Sequence, residues 1–383
     1  AQYKACERTL AEELGVEPDD GTKKLFQEIR DGRLGMRRRA SVLRKPPPTQ
    51  PLKMSTAPFV GRAREMTRLD ALLRETLSSR GRVAFVTGDA GAGKTTLIHA
   101  FARRAVARHE RLVAAAGRCS ARGGLGDPFL PFRDILQTLT GDIEARRAGG
   151  AITADHARRL WALFPTAIQA LLDEGPDLVG RVVPAEPLLL RAEAFAPDET
   201  GWQERLQALV TGRERGSAAG ELAQLALFDQ MTRVLAALAD HVALILVVDD
   251  LQWADAATAS LLFHLGRRLE DRPILLLAAY RPGDLTPRPD GRRHPMAPVV
   301  NELQRRYGRV HVDLDKADAR AFVDALVDSE PNRLDEPFRA TLFRHTGGNP
   351  LFTVELLRGL QDRGDMVQDG SGRWVANPDM SWD

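Results

Sequence analysis

The segment that most constrains this chain is Gly88-Asp-Ala-Gly-Ala-Gly93-Lys94-Thr95-Thr96, which follows the apolar run Val83-Ala-Phe-Val-Thr87 and precedes Leu97-Ile-His-Ala-Phe101. An apolar strand that ends in a glycine-rich turn and opens into a helix forms a loop whose backbone N–H groups can close around an anion. Glycine reaches backbone angles that other residues avoid, and the helix N-terminus adds partial positive charge. In this reading Gly88, Ala90, Gly91, Ala92, Gly93, Lys94, Thr95 and Thr96 form a cradle for nucleotide phosphates. Lys94 reaches the β and γ phosphates, and the Thr95 hydroxyl is a ligand for Mg²⁺. The alternative is a chance glycine-rich turn before a Lys-Thr pair; the strand and helix patterns on either side argue against it.

Lys and Arg number 54 and Asp and Glu 52 among 383 residues, a net charge of +2, so no overall field selects a polyanionic partner. Length alone suggests roughly two to three domains. The two cysteines, Cys6 and Cys119, supply neither a disulfide framework nor a cysteine-based metal site and fit a reducing cytoplasm. The longest apolar runs, Val242 to Val248 and Ile274 to Tyr280, are too short to cross a bilayer, so no membrane partner is expected. The chain starts at Ala1 and not at Met, and reads as a piece of a longer protein.

Four zones follow one another. Residues 1–32 carry Tyr3, Cys6, Leu10 and Leu14 and then Leu25 and Ile29 at helical spacing, an all-helical fragment too small to bury a core alone. Residues 33–57 hold Arg37-Arg38-Arg39, Arg44-Lys45 and Pro46-Pro47-Pro48, a basic, proline-rich linker. It reads as a solvated hinge, with phosphate contacts to nucleic acid as the alternative. Residues 58–315 hold strand candidates at Val83–Thr87, Leu112–Ala116, Val242–Val248, Pro273–Ala279 and Arg309–Val312. Unbroken apolar strands alternating with helical patterns predict an α/β fold, a parallel sheet sandwiched by helices. A helical insertion is expected at about 133–240, with leucine rows such as Leu160, Leu163, Ile168, Leu225 and Met231 forming core, and a loop at Pro184–Glu199. Residues 316–383 read as a helical lid, followed by a hairpin at Met366–Val375 around Asp369-Gly-Ser-Gly372.

A second motif agrees with the first. Leu244-Ile-Leu-Val-Val248-Asp249-Asp250-Leu251-Gln252-Trp253-Ala254-Asp255 is an apolar strand ending in an acidic pair, expected on the strand beside the phosphate loop. Asp249 is expected to hold the Mg²⁺ shell and Asp250 to polarise an attacking water, with Asp255 next in line. Weaker signals are Val60-Gly61-Arg62 before the first helix, Arg281 at a strand tip where it could sense a γ-phosphate, and Gly348-Asn349-Pro350 at a helix start. Each also has a purely structural reading, as does His345 beside the glycine pair.

The order of these motifs resembles the STAND class of signal-transducing ATPases, P-loop NTPases found in large bacterial transcription regulators of SARP and LuxR type. The likeness rests on Val60-Gly61-Arg62, Gly88 to Thr96, Asp249 to Asp255, Tyr280-Arg281 and Gly348-Asn349-Pro350. Residues Tyr3 to Arg30 are similar to the end of the activation domain of SARP-type activators. The resemblance implies an adenine loop at Val60 to Arg62, ATP or ADP with Mg²⁺ as cofactors, and Pro350 contacting the nucleotide from the lid. It implies a slow, regulatory ATPase: an ATP-dependent molecular switch in signal transduction that changes domain closure and self-association. DNA contact would come through a domain missing from this fragment, and RNA polymerase is a further expected partner. The competing expectation is a mechanochemical or loading ATPase of AAA+ type acting on nucleic acid or protein.

Overall fold

The computed structural model describes residues 60–120, 128–195, 200–213, 221–286, 293–377, 380 and 382, all within one compact unit, Ala57–Asp383. The expected N-terminal helices at 1–32 and the linker at 33–57 lie outside the described residues. The first half of the unit runs α1 (Ala63–Leu77), β1 (Arg82–Thr87), α2 (Lys94–Arg108) and β2 (Leu112–Arg118). Helices α3 (Leu130–Leu139), α4 (Glu144–Ala148), α5 (Ala154–Glu174), α6 (Ala185–Phe195), α7 (Thr200–Arg213) and α8 (Glu221–Ala239) follow. Then come β3 (Ala243–Asp249), α9 (Ala256–Gly266), β4 (Ile274–Tyr280), α10 (Met296–Tyr307) and β5 (His311–Asp313). The chain closes with α11 (Ala319–Val327), α12 (Glu336–Thr346), α13 (Pro350–Asp362) and the hairpin β6 (Met366–Gln368) and β7 (Trp374–Ala376).

The five long-range strands form one parallel sheet in the order β2-β3-β4-β1-β5. Side chains alternate between two cores, as the period of a strand requires. Phe85, Leu246 and Leu276 face the core built with α3, α5, α8, α9 and α10; Val86, Ile245 and Leu277 face the core built with α1 and α2. The expected sandwich of helices around a parallel sheet is therefore present. At its edge strand β2, His156 Nε2 from α5 accepts the Ala114 N–H at 3.1 Å, while Arg159 Nη1 donates to the Val106 and His109 carbonyls at the end of α2, at 2.7 and 2.5 Å. One N–H of the strand edge is thereby satisfied by a side chain instead of by another strand.

The structure corrects three expectations. The strand bearing Asp249-Asp250 is not beside the strand of the phosphate loop, because β4 is inserted between β3 and β1. All three strands are parallel, so their carboxyl ends still share one edge, where α/β sheets place ligands. Residues 185–195 form α6 and not a loop. Pro187 sits in the first turn, where its missing N–H has no intrahelical partner to lose, and Leu188 and Ala192, four apart, are buried in the main core. Leu225, expected in the core, is 52% exposed.

The lid has a core of its own. Phe322, Val323, Leu326, Phe338, Leu342, Leu360 and Met366 pack together, with Val60 against them. Its helices start on side-chain caps: Asp318 accepts from Ala321 N–H, Asp335 from Phe338 N–H, and Asn349 from Leu351 and Phe352 N–H. The hairpin turn is tied by Asp369 Oδ1, which accepts from the N–H groups of Ser371 and Arg373 at 2.8 and 3.1 Å.

Candidate functional site

At the carboxyl edge of the sheet β1 delivers the chain to the glycine loop, and Gly93, with φ +89°, turns it into α2. Lys94 is buried, and its ammonium donates to the carbonyls of Gly88 at 2.7 Å and Asp89 at 2.8 Å, tying the loop together. Burial and then the nearby positive charge of Arg281 push the Lys94 pKa down, against the pull of Asp250 and Asp249. In the first turn of α2, Thr95 Oγ1 donates to Asp249 Oδ2 at 2.7 Å, so the two expected Mg²⁺ ligands meet although 154 residues separate them.

Asp250 has a left-handed backbone, φ +57°, which aims it away from the β3 axis. Both of its oxygens are engaged. Oδ2 receives a two-pronged salt bridge from Arg118, with Nε and Nη2 each at 2.5 Å, and Oδ1 accepts from Gln252 Nε2 at 2.8 Å. Arg118 is a residue that the sequence motifs do not single out. It ends β2 at the ligand-bearing edge, and a basic residue closing a strand there is the signal that could find it. Asp255 caps α9 by accepting from Thr258 N–H, a structural task, and does not line the cleft. Arg281 stands at the tip of β4, between the strands of the loop and of the acidic pair, and its Nε is buried with no hydrogen-bond partner among the described residues.

A cleft of about 430 Å³ opens over these groups. One wall is the sheet edge, with Ala90, Gly91, Ala92, Gly93, Lys94, Thr95, Thr96, Arg118, Asp250 and Arg281. The other is the lid, with Phe322 and Leu326 from α11 and Pro350, Leu351, Val354, Glu355 and Arg358 from α13; Val60 and Arg62 line it as well. Gly88 and Asp249 stand behind the cleft wall, acting through Lys94 and Thr95 respectively. Gly61 has φ +69°, and a Cβ there would meet Phe322 Cα at 3.1 Å, so this glycine serves the approach to the lid. Arg62 is buried, with Nη2 donating to Ala92 O at 3.0 Å and its guanidinium 5.8 Å from the Phe322 ring. It stitches the loop to the lid. His345 stacks on Trp382 with ring centroids 5.4 Å apart and is not part of the cleft.

The donor set fits Mg²⁺ with nucleotide: hard oxygens of Thr95 and buried Asp249, a cation in Lys94, and an orphaned buried guanidinium N–H in Arg281. Apolar Val60, Phe322, Leu326, Leu351 and Val354 also line the cleft. Residues 58–277 match the family described as AAA ATPase domain, more than half of the chain.

This chain belongs to the AAA ATPase domain family. It is thus a nucleotide-binding ATPase of the P-loop type, and such domains usually use Mg²⁺. A stretch of 227 residues, 59% of this AAA ATPase, is 26% identical to an uncharacterized protein of Rhizobium meliloti (strain 1021), of which it covers 19% of the length. Its fold is similar to the Aeropyrum pernix ORC1 protein, solved in complex with DNA, at 14% identity and a TM-score of 0.40 over 81% of this chain and 63% of the other. No helix among the described residues is long and apolar enough to cross a membrane.

Proposed function

We propose that this AAA ATPase is a slowly hydrolysing molecular switch, the central part of a bacterial transcriptional regulator of the STAND class. The observation that carries the reading is the composition of the cleft. Its two walls belong to separate hydrophobic clusters, the sheet cores and the lid core, so a nucleotide that fills it bears on how they close. A ligand shifts such an equilibrium only by its difference in affinity for the two arrangements, about 5.5 kcal/mol to reverse a 1:99 population.

Within that reading Lys94 balances charge on the β and γ phosphates, and Arg281, unpartnered at the tip of β4, meets the γ-phosphate. Thr95 and Asp249 would hold Mg²⁺, which neutralises phosphate charge when bound. Val60 and Pro350 contact the nucleotide from the lid side. Asp250 is the base that orients water, and its engagement by Arg118 and Gln252 supports slow turnover, since a carboxylate whose two oxygens are held by neighbouring side chains must break one of those bonds before it can engage the attacking water. Self-association on ATP binding, DNA contact through a further domain, an encounter with RNA polymerase and a cytoplasmic setting belong to the same proposal.

The test combines limited proteolysis with turnover. ATP and ADP at saturation should give different cleavage patterns, and Asp250→Asn should still bind ATP while hydrolysis falls by about 10²-fold. Identical patterns with both nucleotides would remove the switch. Fast hydrolysis stimulated by nucleic acid or a protein partner would favour the mechanochemical reading.

A further inference from the structure

The lid touches the phosphate loop through one residue whose purpose the nucleotide reading leaves open. Asn349 Nδ2 donates to the Ala90 carbonyl at 2.9 Å, and the nearby Leu351 N–H donates to the Gly91 carbonyl at 3.2 Å. Ala90, Gly91, Pro350 and Leu351 line the cleft, whereas Asn349 does not, so the grip is applied from behind. In a trans peptide the carbonyl and the following N–H point in opposite directions. A donor that fixes the Ala90 carbonyl therefore turns the Gly91 N–H to the other side, away from Asn349. The glycine itself fits this contact: Gly91 has φ +78°, and a Cβ there would stand 2.6 Å from Asn349 Oδ1 and 2.8 Å from Leu351 Cβ. The room that Gly91 leaves on this side is taken up by the lid.

We infer that Asn349 is a positioning residue for phosphate binding: from the lid it holds the carbonyl side of the loop and so presents the loop's N–H side to the cleft. The inference rests on reading the cleft as the nucleotide site. Its consequence is reciprocal. A loop whose Ala90–Gly91 peptide is set by phosphate presents its carbonyl to Asn349, and a lid that lets go frees that peptide to rotate. Asn349 also caps α13, accepting from Leu351 and Phe352 N–H at 3.0 and 3.4 Å, and the two tasks use different atoms. Asn349→Asp keeps a capping oxygen but sets a carboxylate against the Ala90 carbonyl; Asn349→Ser keeps a cap and loses the amide.

The experiment uses the whole chain with a fluorescent ADP analogue and Mg²⁺ as probe, together with hydrogen exchange of the nucleotide-free protein. Both variants should bind the analogue at least about tenfold more weakly, with melting temperatures within about 2 °C of the parent. Residues 88–94 and 350–356 should exchange faster together in both, without nucleotide. A cap-only role predicts parental affinity and loop exchange in both variants, which would overturn the inference. If the parent itself fails to bind the analogue and Lys94→Ala changes nothing, the nucleotide reading fails. Faster loop exchange in the Asn349 variants would then leave the grip standing while overturning its part in phosphate binding.

Discussion

The two walls of the cleft are held by different physics. The sheet wall grows from strands buried on both faces, and Lys94, Asp249, Asp250 and Arg281 sit at the ends of elements whose cores are dry on either side. The lid wall rests on one small cluster around Phe322 and Leu342 and on point contacts: Asn349 and Leu351 to the loop carbonyls, Arg62 to Ala92 and the Phe322 ring. Large apolar burial makes a rigid wall, and a few hydrogen bonds, each worth about 1 kcal/mol net, make one that can part. A chain built this way can move its lid without disturbing its phosphate loop strand.

The sharpest test of that difference is a pair of cavities. Phe85→Ala, at a fully buried ring in the sheet, should cost about 3–5 kcal/mol of global stability, whereas Leu342→Ala should remove hydrogen-exchange protection from residues 319–362 and leave the sheet protected. Equal loss of protection in both regions would show a single cooperative unit and break the comparison.

Next in size is the pH dependence of the sheet wall. Burial first, then the charge of Arg159, push the His156 pKa down to about 4, with Asp155 opposing. The neutral ring is the one that accepts the Ala114 N–H on the edge strand. Between pH 6.5 and 4 the unfolded chain binds a proton that the folded chain refuses. Stability should therefore fall as pH drops through this window, by about 3 kcal/mol in all, and level off below it. Denaturant titrations of the parent and of His156→Gln across this range decide the point: the variant should lose that part of the slope.

Lys94→Ala acts at the junction of the walls. It removes the ammonium that the proposal sets against the phosphates and should weaken ATP binding at least tenfold, about 1.4 kcal/mol or more, in a calorimetric titration. Unchanged affinity would move the phosphate site elsewhere. The smallest expected effect is at Arg118. Arg118→Ala releases one oxygen of Asp250, and kcat should rise severalfold, under about 1.4 kcal/mol, with KM little changed. A fall in kcat would mean that the Arg118 guanidinium, 71% exposed at the cleft, contacts the phosphates instead of restraining the base.

Much of the molecule is legible in its sequence. The phosphate loop, the strand into Asp249-Asp250, the parallel sheet and the capped lid helix at Asn349-Pro350 can all be read from the chain, because each signal is local. Glycines at φ-demanding turns, unbroken apolar runs and a cap residue before a helix act over a few residues, where backbone sterics and burial leave few options. The α6 helix escapes such a reading for the same reason, since the two prolines at its start resemble a loop until the burial of Leu188 is known.

The amino-acid order is enough to give the strands, the glycine-rich turn, the acidic pair at the end of β3 and the helices of the lid, and so to name the candidate groups of the site. Only the folded chain reveals that β4 lies between β1 and β3, that Arg118 restrains Asp250, that His156 meets the sheet edge at Ala114 and that Asn349 grips Ala90 across 259 residues. Those contacts join segments with no fixed separation along an unfolded chain. Their partners are chosen by strand order and helix packing, and a side chain's type says only that it can donate or accept, not which group will come within hydrogen-bonding reach.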